Sequence, residues 1–301
     1  MRRIPLWVEP YAGSLAVGLR LMGAPRPLVG WMGSKGAYHG AITSILQVSA
    51  ADEVWCADVS DWAQVWRALA KPGVAKAAAD IIDEIEADAL STGDSPASHR
   101  RVWMALREEW REVGTTVDAR GVARWVALVV PSALHQGPAA GCHWKGDEWP
   151  VQRKSGRLMH RTWAFAAHRF RAIPDPLPVK VWASASQIPA VRRALVMLDP
   201  PYAETGKYRF SGQHTQTEAI VERDRWRAAG ATVAMCEQVP MGGIAYDIAG
   251  RRKGSRNHAG KPATTGEVLS VHWPGMADGT LWEAAIPTSR RVEQSGSSSG
   301  S

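Results

Sequence analysis

Three acids in this sequence each stand where an apolar run ends and the chain must stop or turn. In "VMLDPPY", Asp199 follows Val196, Met197 and Leu198. Pro200 and Pro201 then remove two backbone donors and fix φ, so a strand has to end there, with Tyr202 just beyond. "WVEPYAG" sets Glu9, Pro10 and Tyr11 before a tight turn at Gly13, and "VWCADVSD" closes an apolar run on Asp58. Open α/β sheets bind ligands outside the carboxyl ends of their strands. A glycine turn entering a helix offers backbone N–H groups to a carboxylate or phosphate. An acid at the next strand end suits a ribose diol, because a carboxylate accepts more than one hydroxyl. Together these features describe a site for a nucleoside-bearing cofactor. "YAGSLAVG" lacks the full G-x-G-x-x-G pattern of nicotinamide sites, and no P-loop lysine follows it.

The elements that must position these acids follow from hydrophobic period and punctuation. Residues 6–22 read as a short strand, the Gly13 turn and a helix capped by Ser14; residues 26–47 hold a second glycine turn, "GWMGSKG", and a helix through "AITSILQV". A strand over 52–61 carries Asp58 near its end. Residues 62–134 read as helical, with breaks at 71–73, 91–96 and 114–121, and 135–176 lose periodicity. Strands return at 179–186, before Asp199, at 231–238 and at 267–273, with a helix over 214–229 and a basic glycine-bearing loop at 250–266. Strand and helix alternation outside the middle predicts a doubly wound α/β sheet with a large insertion. The boundaries are 1–62 and 177–287 for the sheet domain, 63–176 for the inserted helical and irregular region, and 288–301 for a low-complexity, disordered tail.

With 301 residues and 45% hydrophobic content, the chain can bury one large core. No apolar stretch approaches a membrane span and "MRRIPLWVEP" lacks a signal-peptide core, so a cytoplasmic protein without a membrane partner is expected. Cys56, Cys142 and Cys236 are odd in number and widely spaced, which suits reduced thiols. His135, Cys142, His143 and His160 fit no zinc spacing, and no metal is expected. A formal charge of +7 favours a polyanionic partner. The 15 tryptophans read mostly as core, with some available as stacking surfaces for bases.

The motifs resemble those of S-adenosylmethionine-dependent amino-methyltransferases of the DNA adenine methylase (Dam-like, D12) class, in its phage and actinobacterial branch. "VEPYAGSLAVGL" is similar to their first motif, "LDPPY" to their catalytic motif, "GWMGSKGAY" to their Trp-x-Gly-Gly-Lys cofactor motif, and "VWCADVSD" to their "ADxN" strand end. The resemblance covers 8–62 and 179–273 and implies a Rossmann-like methyltransferase fold with target recognition in the insertion. It implies that Glu9, Pro10, Tyr11, Gly13 and Ser14 line the methionine end of S-adenosyl-L-methionine, that Asp58 holds the ribose, and that Trp31, Gly33 and Lys35 close over the cofactor. Three departures stand out. The glycine-lysine motif follows the first motif where relatives place it before, Leu15 occupies a usual glycine position, and "VWASASQIP" lacks an adenine-contacting aspartate, leaving Ser184 or Ser186 for that role.

Asp199, Pro200, Pro201 and Tyr202 would then be catalytic. An exocyclic base amine is a poor nucleophile because its lone pair is conjugated into the ring. Accepting its two N–H bonds on the Asp199 carboxylate and the Pro200 carbonyl aims that lone pair at the sulfonium methyl. Tyr202 can stack on the extruded base. The expected reaction is N6 methylation of adenine in DNA. N4-cytosine methylation and a silent DNA-binding protein of the same fold remain alternatives, and related tetrapeptides occur in RNA and protein-glutamine methyltransferases. No cysteine follows a proline, which excludes the C5-cytosine nucleophile. Lys145, Arg153, Lys154, Arg157 and Arg161, and the loop residues Arg251, Arg252 and Lys253, are the expected phosphate contacts. A cognate restriction nuclease is a possible partner.

Overall fold

A computed structural model describes residues 1–24, 28, 35, 38–93, 95–131, 160–200, 216–237, 240–248, 268–276 and 280–282, with the side chains at 96, 160–162, 216 and 280–282 outside that set. Its described strands are β1 (Arg2–Glu9), β2 (Val48–Ala57), β3 (Val179–Trp182), β4 (Leu195–Leu198), β5 (Thr232–Glu237), β6 (Gly243–Asp247), β7 (Val268–His272) and β8 (Thr280–Trp282). They form one sheet in the order β3-β2-β1-β4-β5-β7-β6-β8. The pairs β1·β2, β2·β3, β1·β4 and β4·β5 are parallel, whereas β7 runs antiparallel to both β5 and β6. The chain moves outward from β1 to β2 and β3, then returns to β4 on the other side of β1. That reversal is the switch point of a doubly wound, Rossmann-like sheet, here mixed by the antiparallel β7. The fold expected from sequence is present.

Helices cover both faces, as a parallel sheet buried on two sides requires. On one face lie α1 (Ala16–Leu21), α2 (His39–Ile45), α3 (Trp62–Leu69), α4 (Val74–Ser91), α5 (Pro96–Val113), α6 (Ala119–Val129) and α7 (His160–Arg171); on the other lies α8 (Gln216–Ala228). Trp62, Trp66, Trp103, Trp125 and Trp163 of this helical layer join Trp7, Val54, Cys56 and Met197 of the sheet in one continuous core. Val8, Ala57, Leu198 and Met235 face the second cluster, with Trp226 of α8. The described tryptophans therefore serve largely as core. Helix ends match their punctuation. Ser95 caps α5 by accepting the Ser98 N–H, and Asp118 caps α6 by accepting the Gly121 N–H.

Several boundaries differ from expectation. β1 and β2 begin earlier, at Arg2 and Val48, and pair with each other from their first residues. Polar Ser49, Asp52 and Glu53 hide the start of β2 in the sequence because they lie on its more exposed portion. β3 stops at Trp182, and a short 3-10 turn over Ala185–Gln187 follows where strand was expected. β6 was not foreseen. Its first residue, Gly243, has φ 69°, and an added Cβ would meet the Val271 carbonyl oxygen at 2.4 Å, so only glycine permits β6 to approach β7 there. Among the described residues, no helix is long and apolar enough to cross a membrane.

Candidate active site

The alternation of β1, β2 and β4 decides which acids can meet. Trp7, Cys56 and Met197 face the helical layer. Two residues on, at the carboxyl ends, Glu9, Asp58 and Asp199 follow the same side. The electrostatics agree with that placement: Asp199 acts on Glu9, and Glu9 and Asp58 both act on the Cys56 thiol, which burial drives well above its ordinary range. The three strand-end acids therefore share one face beside the switch point.

Glu9 is buried, and its Oε1 accepts the Trp7 indole N–H at 2.7 Å and the Gly18 N–H at 2.6 Å. Gly18 lies in the first turn of α1, whose N–H groups have no partner within the helix. A Cβ at Gly18 would come within 3.1 Å of the same Oε1. Burial pushes the Glu9 carboxyl up from 4.5 to about 7, against the two hydrogen bonds, and neighbouring Asp199 adds to the rise. The carboxyl thus ties β1 to α1 from inside the core.

Asp58 holds the first glycine turn. Its Oδ2 accepts the Gly13 N–H at 2.6 Å, and its Oδ1 accepts the Ser60 N–H at 2.7 Å as well as the Ser60 hydroxyl at 2.5 Å. A carboxylate offers about four acceptor positions. Among the described residues three are used, which leaves room for one ribose hydroxyl rather than the pair expected. Burial raises its carboxyl, opposed by these hydrogen bonds. The turn itself needs two left-handed residues, Gly13 at φ 45° and Leu15 at φ 47°. Leu15, not Ser14, is the N-cap of α1, and its own side chain makes no capping hydrogen bond. Leu15 keeps the backbone shape that the usual glycine would supply, while its side chain is fully buried. The Gly13 carbonyl in turn accepts the Trp66 indole N–H at 3.0 Å, a contact not foreseen from sequence.

Lys35 reaches Asp199. Its Nζ stands 2.9 Å from Asp199 Oδ1, and the lysine is buried. Pro200, the next residue, is buried. The reordered glycine-lysine motif therefore delivers its lysine to the tetrapeptide. Pro10 and Ser14 are buried beside the first turn. Tyr11 packs against the second cluster, toward α8, where burial and the carboxylates of Glu222 and Glu218 push its phenol up. Ser184 lies two residues past β3, at the far side of β2 from β1, as the N-cap of the 3-10 turn, with its hydroxyl 3.1 Å from that of Ser186. Trp31, Gly33, Pro201, Tyr202, Lys145, Arg153, Lys154, Arg157, Arg251, Arg252 and Lys253 lie outside the described residues, as does the side chain of Arg161.

No family model matches this chain, and no curated protein matches it. Among solved structures it is similar to an rRNA methyltransferase, aviRa from Streptomyces viridochromogenes. One structure of it, at 2.4 Å, shares 15% identity over 90% of this chain and 78% of its own, with a TM-score of 0.29. Another, at 1.5 Å, shares 14% identity over 89% and 76%, with a TM-score of 0.27. The doubly wound architecture rests on this chain's own strand order, not on superposition at this level.

Proposed function

We propose that this chain is an S-adenosylmethionine-dependent methyltransferase that methylates the exocyclic N6 amine of adenine in DNA. The observation that carries this reading is the shared face of Glu9, Asp58 and Asp199 at the carboxyl edge of β1, β2 and β4. Among the described residues, the cation in contact with these acids is Lys35. With Asp199 paired to Lys35, an acid at a strand end beside a glycine turn suits the ribose of a nucleoside-bearing cofactor.

The residues present fit that cofactor. Asp58 has one acceptor position for a ribose hydroxyl, and the Gly13–Leu15 turn is fixed beside it. When bound, S-adenosylmethionine supplies an electrophilic methyl on sulfur. The chain supplies acceptors. Lys35 holds Oδ1 of Asp199 by a charge-assisted hydrogen bond. The carboxylate, so oriented, and the Pro200 carbonyl take the two N–H bonds of an adenine amine and turn its lone pair outward. The amine gains a carbon and loses one proton, for which Asp199 is the nearest acceptor. The formal charge of +7 supports a polyanionic substrate.

Incubating DNA with the protein and S-adenosylmethionine, then resolving the nucleosides by mass spectrometry, tests the assignment. N6-methyladenine is the expected product. N4-methylcytosine would select the cytosine alternative, and modification of RNA alone would move the substrate. No methylated base in either polymer overturns the proposal.

A further inference from the structure

Gly13 is held at both poles of its backbone by side chains from the region after β2. Its N–H goes to Asp58 at 2.6 Å, and its carbonyl receives the Trp66 indole N–H at 3.0 Å. A glycine at φ 45°, two residues before the left-handed Leu15, has few steric reasons to keep one peptide orientation, so these two bonds choose it. Trp66 is fully buried in α3 and stacks on Trp62 at 5.0 Å, with 13° between the planes. Trp125 of α6 meets Trp62 edge-on at 6.2 Å, and Trp110 of α5 lies 6.5 Å from Trp125. A run of indoles thus extends from the helical layer to the glycine turn.

We propose that Trp66 is a positioning residue for the cofactor turn, and that the indole run behind it makes the helical layer a structural part of cofactor binding. The functional half rests on the methyltransferase reading; the positioning half does not. An apolar side chain would fill the space equally well, but a donor at this point satisfies the half-buried Gly13 carbonyl and fixes the peptide that follows it. Trp103 provides the comparison. It is equally buried and donates its indole N–H to Leu128 O at 3.2 Å, within the helical layer and away from the turn.

Trp66→Phe keeps an aromatic ring in the stack and removes the donor; Trp103→Phe does the same elsewhere. Two readouts separate the possibilities: amide hydrogen exchange over residues 11–15, and calorimetric affinity for S-adenosylmethionine. Trp66→Phe should speed exchange at Gly13 and Ser14 and weaken cofactor binding about tenfold, the scale of one lost hydrogen bond. Trp103→Phe should lower the melting temperature by a similar amount yet leave both readouts within about twofold of wild type. Unchanged exchange in Trp66→Phe, or equal changes in both variants, overturns the positioning role. If Trp66→Phe does not fold, Trp62→Phe loosens the stack with the donor in place, and should shift the same readouts in the same direction by less; no shift there overturns the role. Faster exchange with wild-type affinity overturns the link to binding, and a wild type that takes no S-adenosylmethionine overturns the methyltransferase reading while exchange still decides the positioning.

Discussion

Lys35 Nζ lies 2.9 Å from Asp199 Oδ1, with side-chain exposures of 5% and 22%. A lysine so enclosed is held by its counter-charge, and the carboxylate is held in one orientation by the lysine. Each residue is therefore costly to remove alone.

Lys35→Met should destabilise the fold by about 3 kcal/mol, the scale for breaking an enclosed ion pair. It should also reduce methyl transfer at least tenfold, because the carboxylate loses the bond that orients it. Asp199→Asn combined with Lys35→Met should recover most of the stability and none of the activity. Denaturant unfolding of the two single variants and the double variant measures the coupling.

Glu9 predicts a stability that depends on pH. Its carboxyl stands at about 7 in the fold against an ordinary 4.5, so the fold favours the protonated form. That contribution is complete below pH 4.5 and is lost as pH rises through about 7. Its full size is of order 3 kcal/mol. Glu9→Gln keeps an oxygen acceptor for Trp7 and Gly18 and cannot titrate. Unfolding free energies measured across this range should fall for wild type relative to Glu9→Gln; parallel curves would contradict the assignment.

Leu15 sets two effects against each other. Its left-handed backbone, φ 47° and ψ 38°, costs about 1 kcal/mol, which glycine would relieve. Its fully buried side chain is worth more, because truncating such a leucine costs about 3 kcal/mol or above. Leu15→Gly should therefore lower stability by about 2 kcal/mol net despite matching the usual motif. Thermal unfolding checks the sign.

Much of this arrangement is written locally in the chain. Pro200 ends β4 directly after Asp199, and the apolar runs of β4 and β5 need no tertiary help to be recognised as buried strands. The breaks among α3, α4, α5 and α6 fall where proline, glycine or a capping side chain stops or starts a helix. What escaped the sequence depends on distant partners. That Lys35 meets Asp199 follows from where the sheet brings two remote segments together. Glu9 points inward by strand alternation, but its bond to Gly18 depends on α1 beginning at a left-handed leucine, which no propensity would suggest. Trp66 reads as an ordinary apolar helix position; only its spacing of four from Trp62 marks the pair as neighbours on one helix face. β6 is short and half-exposed in alternation, so its five residues carry too little signal against a glycine-rich flank.

In the proposed function Asp199 acts on the reacting amine and not on the cofactor alone. Transfer of labelled methyl groups from S-adenosylmethionine into DNA, measured for wild type and Asp199→Ala beside calorimetry with the cofactor, tests it most directly, with Asp199→Asn as a check that the site stays folded. Both variants should lose about a hundredfold or more in transfer while binding the cofactor within a few-fold of wild type. Undiminished incorporation by a folded Asp199→Ala protein would contradict it.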